Sequence, residues 1–273
     1  MHNIPVPILG DVTALTMTSS DLQKSLEYYT HLGFSEVMRM DFPFPWIQIT
    51  DGALLIMLRQ DPNPYIALTY YIKDLEHTVK IIDDAGLIFA EKPKPTDILK
   101  KYLIHSPDQT NISLVLIPEG FTKPKGPTML TMQASDYSDP EKYVNKICGM
   151  FGELAIPVKD LEISTTFWSK LGFQTMFTPS GHYPWSILSD GLAVIGLHQT
   201  NHFSKPTITF FAADMEDKIA QLHSSVRDHS RAQNSGNIVL MTPEQQEIKY
   251  PSHEVPSIVF FPNSGKKTIL RLS

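Results

Sequence analysis

Cysteine is almost missing: Cys148 stands alone in 273 residues. A single thiol excludes an internal disulfide and any metal cluster built on cysteines. With no cationic neighbour assured by the sequence, it reads as an inert thiol. Long apolar runs are missing as well. The longest clean one, residues 53–58, is far short of the ~20 residues that a membrane-spanning helix needs. Residues 1–10 hold no lysine or arginine ahead of an apolar stretch, so no secretory leader is expected. Positive charge is scarce too. Lys and Arg number 23 against 29 Asp and Glu, a net charge of −6 with no long run of one sign. Phosphate contacts dominate affinity for nucleic acid, and a chain without a basic stripe is a poor candidate for it. No Gly-x-Ser-x-Gly, Walker loop or dinucleotide fingerprint occurs, which removes the commonest nucleophile and nucleotide motifs. The expectation is a soluble, cytoplasmic protein with no nucleic-acid or membrane partner.

What is present is a repeat. Adding 139 to each number carries Asp21–Gln60 onto Asp160–Gln199 without a gap. Asp21-Leu22 meets Asp160-Leu161, Ser25 meets Ser164, and Leu32-Gly33-Phe34 meets Leu171-Gly172-Phe173. Pro45-Trp46 meets Pro184-Trp185, and Asp51-Gly52 meets Asp190-Gly191. A long internal period marks a repeated supersecondary unit, and the length suits about two domains.

Each copy reads as strand, helix and three strands. Val12–Met17 is a strand, and Asp21 caps a helix whose apolar residues Leu22, Leu26, Tyr29 and Leu32 keep helical spacing. Gly33 stops it. Strands are expected at Phe34–Met40, Trp46–Thr50 and Ala53–Arg59, the last two joined by Asp51-Gly52. The pattern restarts at Ile66–Ile72, with Asp74 opening a helix that Gly86 closes, and then strands at Lys101–His105 and Asn111–Ile117. The first half is thus two diverged copies of one unit. Residues 118–127, with three prolines, read as a linker. Asp139-Pro140-Glu141 reads as the start of a short helix through Ile147. Gly152–Val158 begins the third copy and Pro206–Phe211 the fourth, with Asp214 opening its helix. Arg227–Asn237 reads as a polar mobile loop, followed by strands at Ser257–Phe261 and Thr268–Leu272.

The motifs Ser-Asp-Leu-x-x-Ser-Leu-x-Tyr-Tyr-x-x-Leu-Gly-Phe at 20–34 and Lys-Asp-Leu-x-x-Ser-x-x-Phe-Trp-x-x-Leu-Gly-Phe at 159–173 carry a resemblance. With the weaker Lys73-Asp74-Leu75 and Ser106-Pro107-Asp108, they make the chain resemble the vicinal oxygen chelate superfamily of glyoxalase I, bleomycin- and fosfomycin-resistance proteins and extradiol dioxygenases. The resemblance implies an α+β fold of four βαβββ units, paired into two tandem glyoxalase/bleomycin-resistance-like domains. Their expected bounds are 8–120 and 151–273, with 121–150 as linker. It also implies cup-shaped sheets in which a metal, when present, is held by residues of the first and last strands of each unit. Seven residues before each helix-opening Asp, the ligand positions fall on Ala14, Ala67, Glu153 and Thr207. The closing-strand positions fall near Ile56 and on Ser113, Ile195 and Ile269. Only Glu153 among these is a good ligand for a divalent ion, which takes three or four donors. His198, three residues beyond Ile195, alternates to the opposite face.

The reading is therefore a metal-free small-molecule binding protein without a cofactor, its ligand in the second cup. The expected ligand-binding residues are Glu153, Thr207, Thr209, Tyr183 and Trp185. The alternative is a metal-dependent lyase or dioxygenase of the same superfamily with an atypical metal site. Trp46 and Trp185 either stack on a planar ligand or plug the core. His105, His198 and His202 read as surface or satisfied histidines. Phe42, Pro43 and Phe44, the first-half counterpart of Gly181-His182-Tyr183, read as packing. The two domains can pair within the chain, so a monomer is expected.

Overall fold

The computed structural model describes residues 4–117, 121, 136, 138–180, 183–215, 217–218 and 221, and the strands 232–234, 237–241 and 247–251. The first unit is β1 (Val12–Ser19), α1 (Leu22–His31), β2 (Ser35–Met40), β3 (Trp46–Thr50) and β4 (Leu55–Gln60). The second is β5 (Ile66–Ile72), α2 (Leu75–Asp84), β6 (Lys101–His105) and β7 (Asn111–Leu116). Its first strand after the helix is reduced to one bridge, Glu91 to Leu103. The third unit is β8 (Met150–Pro157), α3 (Leu161–Lys170), β9 (Gln174–Phe177), β10 (Trp185–Ser189) and β11 (Val194–His198). The fourth holds β12 (Thr207–Phe211), β13 (Ala232–Asn234), β14 (Asn237–Met241) and β15 (Glu247–Pro251). The strands make two mixed sheets, ordered β2-β3-β4-β1-β5-β7-β6 and β13-β14-β15-β12-β8-β11-β10-β9.

The helix signals act as the sequence indicates. Asp21, Asp74 and Asp160 accept backbone N–H from Lys24, His77 and Ile163 at 3.0, 3.0 and 2.9 Å. Each satisfies a donor that a helix start leaves open. Gly33 and Gly172 end their helices at φ +85° and +88°, where a side chain would be strained. Strand alternation then sorts the residues. One face of both sheets joins the helices in a common core that includes Tyr29, Phe34, Tyr70, Trp168, Phe173 and Phe210. The Phe34 and Phe210 rings meet edge-on at 6.5 Å across the two halves.

The segments leading into β1 and β8 are exchanged between the halves. Val144, Asn145 and Cys148 pack on the first half. Val144 lies over Gly52 and Asn145 over Gly33, and Asn145 Nδ2 donates to Leu32 O at 2.9 Å. Cys148 is fully buried there, its thiol donating to Leu32 O at 3.2 Å. Reciprocally, Ile8 lies against Gly172 and Pro5 against Gly191 of the second half. Tyr70 donates to Asp190 Oδ2 at 2.6 Å. The helix expected from Asp139 is a single 3-10 turn, Pro140–Lys142. The chain beyond it is committed to this packing instead.

Other expectations need correction. The stretch expected as a mobile loop at Arg227–Asn237 contributes β13 and the start of β14, which pair with each other. β15 runs parallel beside β12, the place expected for Thr268–Leu272. That segment, like Ser257–Phe261, lies outside the described residues. No helix among the described residues is long and apolar enough to cross a membrane.

Candidate functional site

The face of each sheet turned away from the common core forms a cup. In the second cup the sequence register was one residue off. Ile195 pairs with Leu154 and both belong to the core, so Val194, Gly196 and His198 face the cup, together with Glu153. A one-residue shift exchanges the two faces of a strand. It brings His198, expected on the opposite face, to 7% exposure, with Nε2 2.8 Å from Glu153 Oε1. Ile56 fails for the same reason: it pairs with Leu15 and lies in the core.

Around this pair the structure gathers four of the five expected residues. The Tyr183 hydroxyl lies 3.1 Å from His198 Nδ1. Trp185 stacks on the imidazole with centroids 5.2 Å apart and planes 7° from parallel. Thr209 sits opposite Glu153, but its hydroxyl is spent on the backbone, donating to Glu153 O at 3.1 Å and accepting from Glu153 N at 3.2 Å. Thr207 is two residues along, opposite Ala155, and donates to Lys205 O at 3.0 Å. Its hydroxyl is engaged with its own strand start rather than the Glu153 cluster. A proton on His198 Nε2 is donated to Glu153, and Nδ1 faces the Tyr183 hydroxyl; these roles follow from the network. Burial, and then the charge of Glu153, push the Tyr183 hydroxyl above its ordinary range. Glu153 Oε2 is buried without a hydrogen-bond partner among the described residues. Gly196 makes room for the carboxylate: a Cβ there would stand 2.2 Å from Oε2.

These residues do not fit a resident metal. A divalent ion takes three or four protein or water donors. The described residues offer Glu153 and His198, which are bonded to each other. No group of three or more His, Cys, Asp or Glu among the described residues is placed to hold an ion.

The first cup is different. It holds a cavity of about 260 Å³. Phe42, Phe44, Trp46, Met57, Tyr71 and Val115 form its apolar wall. Phe42, Pro43 and Phe44, expected as packing, therefore line a cavity, and Phe42 is 69% exposed. The floor is polar but internally paired: Thr16 with Thr69 at 2.7 Å, and Tyr65 with Ser113 at 2.8 Å. Burial pushes the Tyr71 hydroxyl well up, so it stays protonated. Two cations complete the lining, Arg59 from β4 and Lys101 from β6. Sequence reasoning missed both, although alternation carried the signal: Arg59 is two residues from Met57 and shares its face.

No family model matches the chain, and no curated protein is similar to it in sequence. Its fold is that of the extradiol dioxygenases of the vicinal oxygen chelate superfamily. A single-residue variant of homoprotocatechuate 2,3-dioxygenase from B. fuscum superposes with a TM-score of 0.57 at 13% identity, covering 90% of this chain and 72% of that one. The 2,3-dioxygenase LapB from Pseudomonas sp. KL28 gives 0.54 at 14% identity, covering 91% and 96%. A catechol 2,3-dioxygenase gives 0.54 at 14%, covering 92% and 90%. At such identities the likeness is one of fold, and the function rests on the cups themselves.

Proposed function

We propose that this chain is a small-molecule binding protein that takes its ligand in the first cup without a metal. The observation that supports this is the cavity of about 260 Å³, walled by aromatic and sulfur-containing side chains with a few polar groups. That combination is the usual make-up of a small-molecule site. Ala14, at the first-strand ligand position, bears no donor and packs among Val12, Trp46, Leu55 and Met57. Neutral 2-naphthamide is a suitable probe. Its binding, followed by ligand-detected NMR, should be lost in Met57→Trp, which fills the cavity. It should weaken in Phe42→Ser, a change at an exposed position that spares the fold, and persist in Glu153→Gln.

A second reading places the ligand on Glu153, Tyr183, Trp185 and Thr209, with Thr207 beside them, as expected from sequence. The unpartnered Glu153 Oε2 favours it, since a buried polar atom without a bond is costly. A ligand N–H or O–H reaching that oxygen would satisfy it. Loss of 2-naphthamide binding in Glu153→Gln, with binding retained in Met57→Trp and Phe42→Ser, would move the site to the second cup. A metal-dependent lyase or dioxygenase reaction at Glu153 finds no support in the donor set described above.

A further inference from the structure

We infer that the first cup selects a small aromatic anion, its carboxylate directed at Arg59 and Lys101 and its ring against the aromatic wall. This rests on the proposal that the first cup is the binding site. The starting point is charge. Among the described residues the cavity lining includes two cations and no carboxylate, although the chain as a whole carries a net charge of −6. The two cations converge on one ring: the Arg59 guanidinium lies 5.7 Å and the Lys101 ammonium 5.4 Å from the centroid of Tyr65. Two like charges held against one ring, both in the lining of one cavity, are favoured by an anion between them.

Each cation has a carboxylate partner outside the lining, and neither pairing uses it up. Arg59 Nη2 donates to Asp61 Oδ2 at 3.2 Å. That is one of five N–H donors on a planar fork, and the only donor of this group with a hydrogen-bond partner among the described residues. Lys101 Nζ stands 3.3 Å from Glu91, whose side chain is 58% exposed, and such surface pairs hold weakly. The guanidinium also lies 5.2 Å over the Phe44 ring, which fixes its plane beside the cavity while leaving its edge open to a carboxylate.

The rest of the lining excludes the alternatives. The hydroxyls of Thr16, Thr69, Tyr65 and Ser113 bond one another, so a polyhydroxylated ligand finds few unspent partners. A cationic ligand meets Arg59 and Lys101. The volume suits one or two fused rings better than a long chain, and the wall offers Phe42, Phe44 and Trp46 as stacking surfaces.

The test compares 2-naphthoate with neutral 2-naphthamide by titration calorimetry on the full chain. Naphthoate should bind about tenfold tighter or more, the scale of a charge-assisted hydrogen bond. Its advantage should shrink as salt is raised. Arg59→Gln and Lys101→Gln should each weaken naphthoate about tenfold more than they weaken naphthamide. Both side chains are partly exposed, and an unshifted thermal melt would show that the variants are folded. Equal affinity for the two compounds in the unmodified chain, or naphthoate binding insensitive to both substitutions, would overturn the anion inference and leave the first cup as the site. Failure of both compounds to bind would overturn the first-cup proposal and the inference with it.

Discussion

Residues 14, 44, 57 and 59 of the first cup correspond, 139 positions on, to 153, 183, 196 and 198 of the second. The backbone register is the same in both: Leu15 faces Ile56 as Leu154 faces Ile195. The side chains are not the same. Where the first cup has Ala14 and Met57, the second has Glu153 and Gly196, so the bulk has moved from the closing strand to the opening one. The exchange decides what the next residue does. In the first cup, where Ala14 offers no carboxylate, Arg59 pairs with Asp61 and lies over the Phe44 ring. Facing Glu153, His198 is drawn inward, and Trp185 and Tyr183 close over it. One pair of substitutions on a fixed scaffold separates a cup walled by Met57 beside a cavity from one in which a buried carboxylate meets an imidazole.

The largest expected break in this comparison is His198→Leu set against Arg59→Leu. Removing one member of a buried carboxylate–imidazole pair leaves Glu153 buried without its partner, at a cost of about 3–5 kcal/mol. Losing the partly exposed Arg59–Asp61 pair should cost under about 1 kcal/mol. Denaturant unfolding of the two variants measures the difference, and equal costs would show that the cups are not unlike in the way described.

A smaller effect is expected at Gly196. Gly196→Ala places a Cβ against Glu153 Oε2 and should destabilise by about 1–3 kcal/mol, the range for overpacking. Adding Glu153→Ala should relieve that clash, because the double variant approaches the Ala14–Met57 arrangement of the first cup. A double-mutant cycle reads the coupling, and strictly additive losses would refute the compensation.

The smallest effect concerns Asp51 and Asp190, which match across the repeat. Burial raises both carboxyls above the ordinary range, against the hydrogen bonds each accepts. The folded value lies above the unfolded one, so their stabilising contribution is fully present below the unfolded value and is lost as pH rises through the raised one. Asp190→Asn removes that loss. The melting temperature of the variant relative to the unmodified chain should therefore be more favourable at pH 7 than at pH 4. The opposite trend would mean that the bond from Tyr70 outweighs burial.

Most of the fold was legible in the sequence. Asp caps, stop glycines and alternating strands are local signals, and a repeat at constant offset supplies two independent readings of each. The exchanged segments around residues 5–8 and 144–148 were not legible, because their partners lie far along the chain, as with Asn145 and Leu32 or Ile8 and Gly172. The second cup was half legible. Glu153 was found by its distance from Asp160, but His198 was set aside because the closing strand was read one residue out of register.

The sequence by itself determined the four-unit architecture, since helix caps, turns and strand period are set by neighbouring residues. The tertiary structure alone decided which face of β4 and β11 looks into each cup, because pairing register depends on the partner strand. It also decided what meets across the strands of the second cup: Gly196 leaves the space that the Glu153 carboxylate takes, a property of two strands together.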